Sequence, residues 1–214
     1  MFDFDGTLVH SNEIKARGFY EVVSGVEDAQ EALVAILARP DAGDRSAVFA
    51  ALAADLSRRH GRDYDHRDWV GAYTQRCEVA IVAAPEIEGA GAALRALREA
   101  GIACYLNSAT PEEPLAAIVA RRGDLGSFRG CYGAPANKVE NLERIATLEN
   151  LVREEIVMVG DGQADLDAAL AFGCQFVGVG LDLSRFVTAP ERLLPDLCGL
   201  TGVILASSSR PDAN

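Results

Sequence analysis

Between Ile102 and Val179 short apolar runs alternate with stretches of helical periodicity, and this alternation restricts the chain to few architectures. Ile102 to Asn107, Phe128 to Tyr132, Ile156 to Val159 and Gln175 to Val179 read as strands, the last of these closing the sheet. Pro111 to Arg122, Val139 to Leu151 and Ala164 to Phe172 read as the helices between them. Strands that are each followed by a helix cannot be joined as hairpins, so they imply a parallel sheet covered by helices on both faces, a doubly wound α/β fold. At 214 residues the chain suits one large α/β domain or a core carrying a small inserted domain.

The informative polar residues lie where these strands end. Met1-Phe2-Asp3-Phe4-Asp5-Gly6-Thr7-Leu8 begins apolar and runs into Asp-x-Asp-Gly-Thr, as a strand does when it turns into a glycine loop at the carboxyl edge of a sheet. Read alone, it is also an acidic turn, since Asp and Gly are ordinary turn residues. Ile102 to Ser108 is an apolar run ending in a hydroxyl, Lys138 follows Gly133-Ala134-Pro135-Ala136-Asn137, and Ile156 to Asp165 is an apolar run followed by Gly-Asp-x-x-x-Asp. Taken separately, Ser108 and Asp165 are also helix caps, Asp161 a turn residue and Lys138 a solvated lysine. Only two residues precede Asp3, whereas a strand usually has about five or six. The first strand therefore reads as clipped, and a native start upstream is expected in preference to a short central strand.

In their order and joint occurrence these four stretches resemble the haloacid dehalogenase-like hydrolases, a superfamily of mostly phosphatases with an aspartate nucleophile and magnesium. The resemblance implies catalytic roles for Asp3, Asp5 and Lys138. Asp3 would attack phosphorus, and Asp5 would protonate the departing oxygen and later deprotonate water. It implies phosphate contacts from Ser108, Asn107 and Lys138. A Mg2+ site would be made from Asp3, Asp5 (through its carbonyl), Asp161 and Asp165, with no organic cofactor. Asp167 lies beyond the matching spacing and is expected to face solvent.

From Ser11 onward the pattern is helical, with periodic stretches at Asn12–Val23, Glu27–Leu37, Arg45–Arg59 and Asp68–Val82, and Ser11 or Asn12 as the first N-cap. By resemblance, residues 11–86 form an α-helical cap that closes over the active site and selects the substrate, while residues 1–10 and 87–214 form the core. Asn12 and Lys15 stand next to the catalytic loop in sequence; a solvated helix face is the plainer reading of Lys15. His10 replaces the acidic residue of many relatives and has no assigned role. With only His60 and His66 besides, no zinc-like cluster is expected.

A formal charge of −12, from 32 acidic and 20 basic residues, disfavours nucleic acid and anionic membrane as partners. The expected partner is a small phosphorylated metabolite, met by local positive charge, and the expected state is a monomer or homodimer. Cys77, Cys104, Cys131, Cys174 and Cys198 show no C-x-x-C spacing and read as buried thiols, which suggests a reducing cytoplasm. No apolar span or leader is expected. Gly89-x-Gly91 lacks the third glycine of a nucleotide loop. The tail from Ala206 is polar and expected to fray.

The expected activity is Mg-dependent hydrolysis of a sugar phosphate or phosphoglycolate-type ester through an aspartyl-phosphate. A phosphosugar mutase of the β-phosphoglucomutase type, and an inactive paralogue that binds a phosphorylated ligand, stand as alternatives.

Overall fold

Phe2 is paired on both sides at once. In the computed structural model, which describes residues 1–39, 42–123 and 128–208, it bridges Leu106 on one side and Val159 on the other, both in parallel. The Phe2 amide donates to Tyr105 and its carbonyl accepts from Asn107, each at 2.8 Å, while Asp3 N–H donates to Val159 at the same distance. The Met1 ammonium donates to Val157 O at 2.9 Å. Residues 1–3 thus serve as the middle strand with pairing only bridge-long, and so differ from a full-length strand.

Around this segment lie β1 (Tyr105–Pro111) and β2 (Gly130–Ala134) on one side, and β3 (Val157–Gly160), β4 (Gln175–Val179) and β5 (Leu193–Leu194) on the other. The pairings among these strands and residues 1–3 are parallel. Counting residues 1–3 as the first strand, the spatial order is 3-2-1-4-5-6, so the direction of winding reverses beside Asp3. Ligands of open α/β sheets bind at such a reversal, outside the carboxyl ends of the strands. Burial on both faces explains the apolar runs: Phe4, Leu106, Met158 and Val159 have no exposed surface.

The core helices are α5 (Ala90–Glu99), α6 (Glu112–Arg121), α7 (Lys138–Glu149), α8 (Gln163–Phe172) and α9 (Leu200–Ser208). The start of α7 is fixed by a capping box, in which Asn137 accepts from the Val139 and Glu140 amides and Glu140 accepts from the Asn137 amide. α7 packs on α8, and α5 on α9. Three expectations change here. β4 is not the last strand, because β5 adds to its edge; with two residues, β5 has no periodicity to reveal it. β1 starts three residues later than expected and runs on to Pro111. Helix α9 continues through Ser208, beyond the start of the expected frayed tail, whose residues 209–214 lie outside the described residues.

The chain divides into two compact units, Met1–His10 with Ala84–Asn214, and Ser11–Ala83. The second contains α1 (Asn12–Val22), α2 (Ala29–Leu37), α3 (Arg45–His60) and α4 (His66–Ala83). Leu33 and Ile36 of α2 and Val48, Phe49, Leu52 and Leu56 of α3 form its apolar interior. Phe19 and Tyr73 rings add a contact at 4.6 Å between centroids. Asp44 caps α3 by accepting from the Ala47 amide, whereas Ser11 occupies the N-cap of α1 without a side-chain capping bond.

Cys77 and Cys104 are buried and Cys131 and Cys174 half-buried, but Cys198 is exposed, its amide bound by Asp196 in the turn before α9. No described helix is long and apolar enough to cross a membrane.

Candidate active site

Asp3 is delivered to the sheet edge by the pairing of residues 1–3, and the chain then turns. Gly6 takes a positive φ of 77°, which a residue with a Cβ adopts only at a cost, and its amide closes the loop on Val9 O at 2.9 Å. Asp3, Asp5, Thr7, Ser108, Thr110, Asp161 and Asp165 are all buried along this edge. Seven buried polar side chains in one place demand internal partners, a ligand, or both.

Lys138 opens α7, and its Nζ lies 3.1 Å from Asp3 Oδ1 and also bonds Asp165 Oδ1. Its backbone is held as well: Asn107 Nδ2 donates to the Lys138 carbonyl at 2.9 Å, and Asn141 Nδ2 donates to Asn107 Oδ1 at 3.0 Å. Both ends of the Asn107 amide therefore bond protein, and Asn107 supports Lys138. Ser108 Oγ accepts from the Thr110 amide at 3.2 Å, so its O–H points elsewhere and can donate to an incoming oxygen. It does not cap α6, whose N-cap is Pro111.

Thr110 Oγ1 donates to Asp5 Oδ2 at 2.9 Å, and Thr7 Oγ1 lies 3.4 Å from Asp161 Oδ1. Arg185, in a short 3-10 turn after β4, donates to Asp161 Oδ2. Asp165 stands in the first turn of α8 beside Gly160, where a Cβ would collide with its carboxyl group; this close approach admits only glycine at 160. Asp167 points to solvent and accepts from Gln163.

Asp3, Asp161 and Asp165 each offer an oxygen, and these oxygens lie within 4.8 Å of one another. Among the described residues this is the one group of three His, Cys, Asp or Glu side chains close enough to hold a metal ion. Asp3 Oδ1 is buried, with the Lys138 ammonium beside it at 3.1 Å and no hydrogen-bond partner satisfying it. An all-carboxylate set with an unsatisfied buried oxygen fits a hard divalent cation such as Mg2+.

Burial pushes the Asp3 carboxyl up from the usual range, against the pull of Lys138. Burial and the neighbouring Asp3 charge raise Asp165 to about 7. Burial alone would lower Lys138, yet Asp3 and Asp165 outweigh it and leave the ammonium more firmly protonated than a free lysine. Lys138 thus does not fully offset the cost of burying Asp3 and Asp165 as anions side by side.

Sequence reasoning missed three supports. Thr110 had a signal, since it stands two residues after Ser108 in one strand and so shares its face. Asn141 lies three residues after Lys138, one helical turn on. Arg185 had none, because only the fold brings it to Asp161. His10 is exposed, with its amide donating to Pro85 O at 3.0 Å. Asn12 and Lys15 belong to the helical unit. His60 bonds Tyr64 and Asp28 within that unit.

Several solved structures share this architecture at low identity. A predicted phosphoglycolate phosphatase from Haemophilus somnus 129pt superposes with a TM-score of 0.72 at 19% identity, covering 94% of this chain and 95% of that one. A candidate beta-phosphoglucomutase from Thermotoga maritima gives 0.71 at 16% identity, covering 96% and 97%. A candidate HAD-hydrolase from Bacillus subtilis, solved bound to magnesium, gives 0.71 at 15% identity, covering 95% and 96%. No curated protein sequence matches the chain. The sequence profile of the haloacid dehalogenase-like hydrolases matches residues 1–173, a span from the first carboxylate through Asp165 and the end of α8, and the chain belongs to that family.

Proposed function

We propose that the protein is a magnesium-dependent phosphatase that hydrolyses a small phosphorylated metabolite of the sugar phosphate or phosphoglycolate type. The observation that carries this reading is the convergence of Lys138 on Asp3 beside Asp161 and Asp165. A phosphate monoester repels nucleophiles and leaves as a poor alkoxide, so a catalyst must offset charge and deliver a proton.

An Asp3 oxygen attacks phosphorus; the new O–P bond forms as the ester P–O bond breaks, and its electron pair goes to the leaving oxygen. Asp5, held by Thr110, gives that oxygen a proton. In the second half Asp5 takes a proton from water, whose oxygen attacks phosphorus and frees Asp3. Lys138 fixes the Asp3 carboxylate and offsets phosphate charge, while Ser108 donates to a phosphate oxygen. Asp3, Asp161 and Asp165, with the Asp5 carbonyl, would hold Mg2+, which when bound would offset the charge of the phosphate oxygens.

The test is phosphate release from a panel of small monoesters, with magnesium or chelator, for wild type and Asp3→Asn. Magnesium-dependent release that Asp3→Asn abolishes supports the reading. Interconversion of hexose phosphates without net release supports the mutase reading instead, and silence in both assays supports a binding protein.

A further inference from the structure

Asp161 has both oxygens engaged, Oδ1 with Thr7 and Oδ2 with Arg185. A cation that takes Asp161 as a ligand must use one of these oxygens. The Asp161 side chain is 5% exposed and Arg185 40%, so the guanidinium reaches in from solvent to a carboxylate that cannot move out.

The backbone around Arg185 is fixed on both sides. Before it, Asp182 accepts from the Ser184 amide at 2.9 Å and hydroxyl at 2.6 Å. After it, buried Phe186 packs on Phe176 with centroids 6.2 Å apart, and the Val187 amide donates to Gln163 at 2.6 Å. Only the Arg185 side chain is left to move. It also has a second place to rest: Asp182 is exposed and is held below the usual carboxylate range, mainly by Ser184 and in part by the Arg185 charge.

Of the three adjacent carboxylates, Asp3 and Asp165 are paired with Lys138, and Arg185 places a second positive charge on Asp161. Once a divalent ion is present, a guanidinium on the same carboxylate is repelled at close range in a poorly solvated setting.

We infer that Arg185 is a placeholder cation, which satisfies Asp161 in the metal-free protein and swings off it when a divalent ion binds. It is a positioning residue that tunes metal affinity, and the inference rests on the reading of Asp161 as a metal ligand.

The experiment is calorimetric titration of the metal-free full chain with Mg2+, for wild type, Arg185→Gln and Asp161→Asn, together with thermal unfolding in chelator and in saturating Mg2+. Arg185→Gln is expected to bind Mg2+ about tenfold more tightly. It is also expected to lower the unfolding midpoint in chelator and to leave it unchanged in Mg2+. A guanidinium that stays on Asp161 beside the metal would instead lower both midpoints equally, and that result overturns the inference. So does Mg2+ binding that Asp161→Asn abolishes but Arg185→Gln leaves equal or weaker, an outcome that keeps the metal site itself. Absence of Mg2+ binding in both wild type and Arg185→Gln overturns the inference and the metal site together.

Discussion

Lys138 Nζ lies 3.1 Å from Asp3 Oδ1, although the two residues are 135 positions apart in the chain. The contact exists because residues 1–3 pair between β1 and β3, while Asn107, on β1, anchors the carbonyl at the start of α7. One strand thus aligns both partners.

Lys138→Met is expected to abolish phosphate release and to destabilise the protein at pH 8 by about 3 kcal/mol, the usual cost of stranding buried charge. The loss should shrink at pH 5, where Asp165, with its carboxyl at about 7, is protonated. Urea unfolding in chelator at the two pH values measures this. An equal loss at both would show that Lys138 acts through packing.

Thr110→Val keeps volume and removes the hydroxyl that donates to Asp5. Losing one hydrogen bond to a carboxylate corresponds to about a tenfold fall in kcat. Because Asp5 is assigned to proton transfer and not to binding, KM should hold. Steady-state kinetics on the best substrate of the panel check the split, and a rise in KM alone would remove Thr110 from the proton-transfer step.

Legibility in the sequence followed range. The carboxylates at 3, 5, 161 and 165 stand out through the joint resemblance of their stretches to one family, since each apolar run and turn taken alone also reads as an ordinary turn or cap. Alternation likewise revealed β3, α8 and β4. What stayed hidden depended on long-range contact: Arg185 reaches Asp161 only through the loop after β4, and the support that Asn107 gives Lys138 exists only where β1 meets the start of α7. Tyr105 opens β1 later than the apolar run suggests, because Ile102 is still tied to Leu97 at the end of α5.

In chelator, wild-type stability should fall as pH rises from about 4 to about 7. The Asp165 carboxyl sits at about 7 in the folded protein against a reference value of 3.8, so in this window the folded state keeps a proton that the unfolded chain has lost. Each such proton gives a slope of about 1.4 kcal/mol per pH unit, with the sign that lowers stability as pH rises. Asp3, also raised, acts in the same direction. Asp165→Asn should flatten the curve, and saturating Mg2+ should do the same by favouring the ionised carboxylates. Parallel curves for wild type and Asp165→Asn would contradict this account.

The most direct test of the central claim, that Asp3 carries the phosphoryl group, is acid quench during turnover with the best substrate, followed by peptide mass mapping. The account predicts a phosphoryl group on the N-terminal peptide at Asp3, formed in wild type and absent in Asp3→Asn. Turnover with no label at Asp3, or full phosphate release by Asp3→Asn, would contradict it.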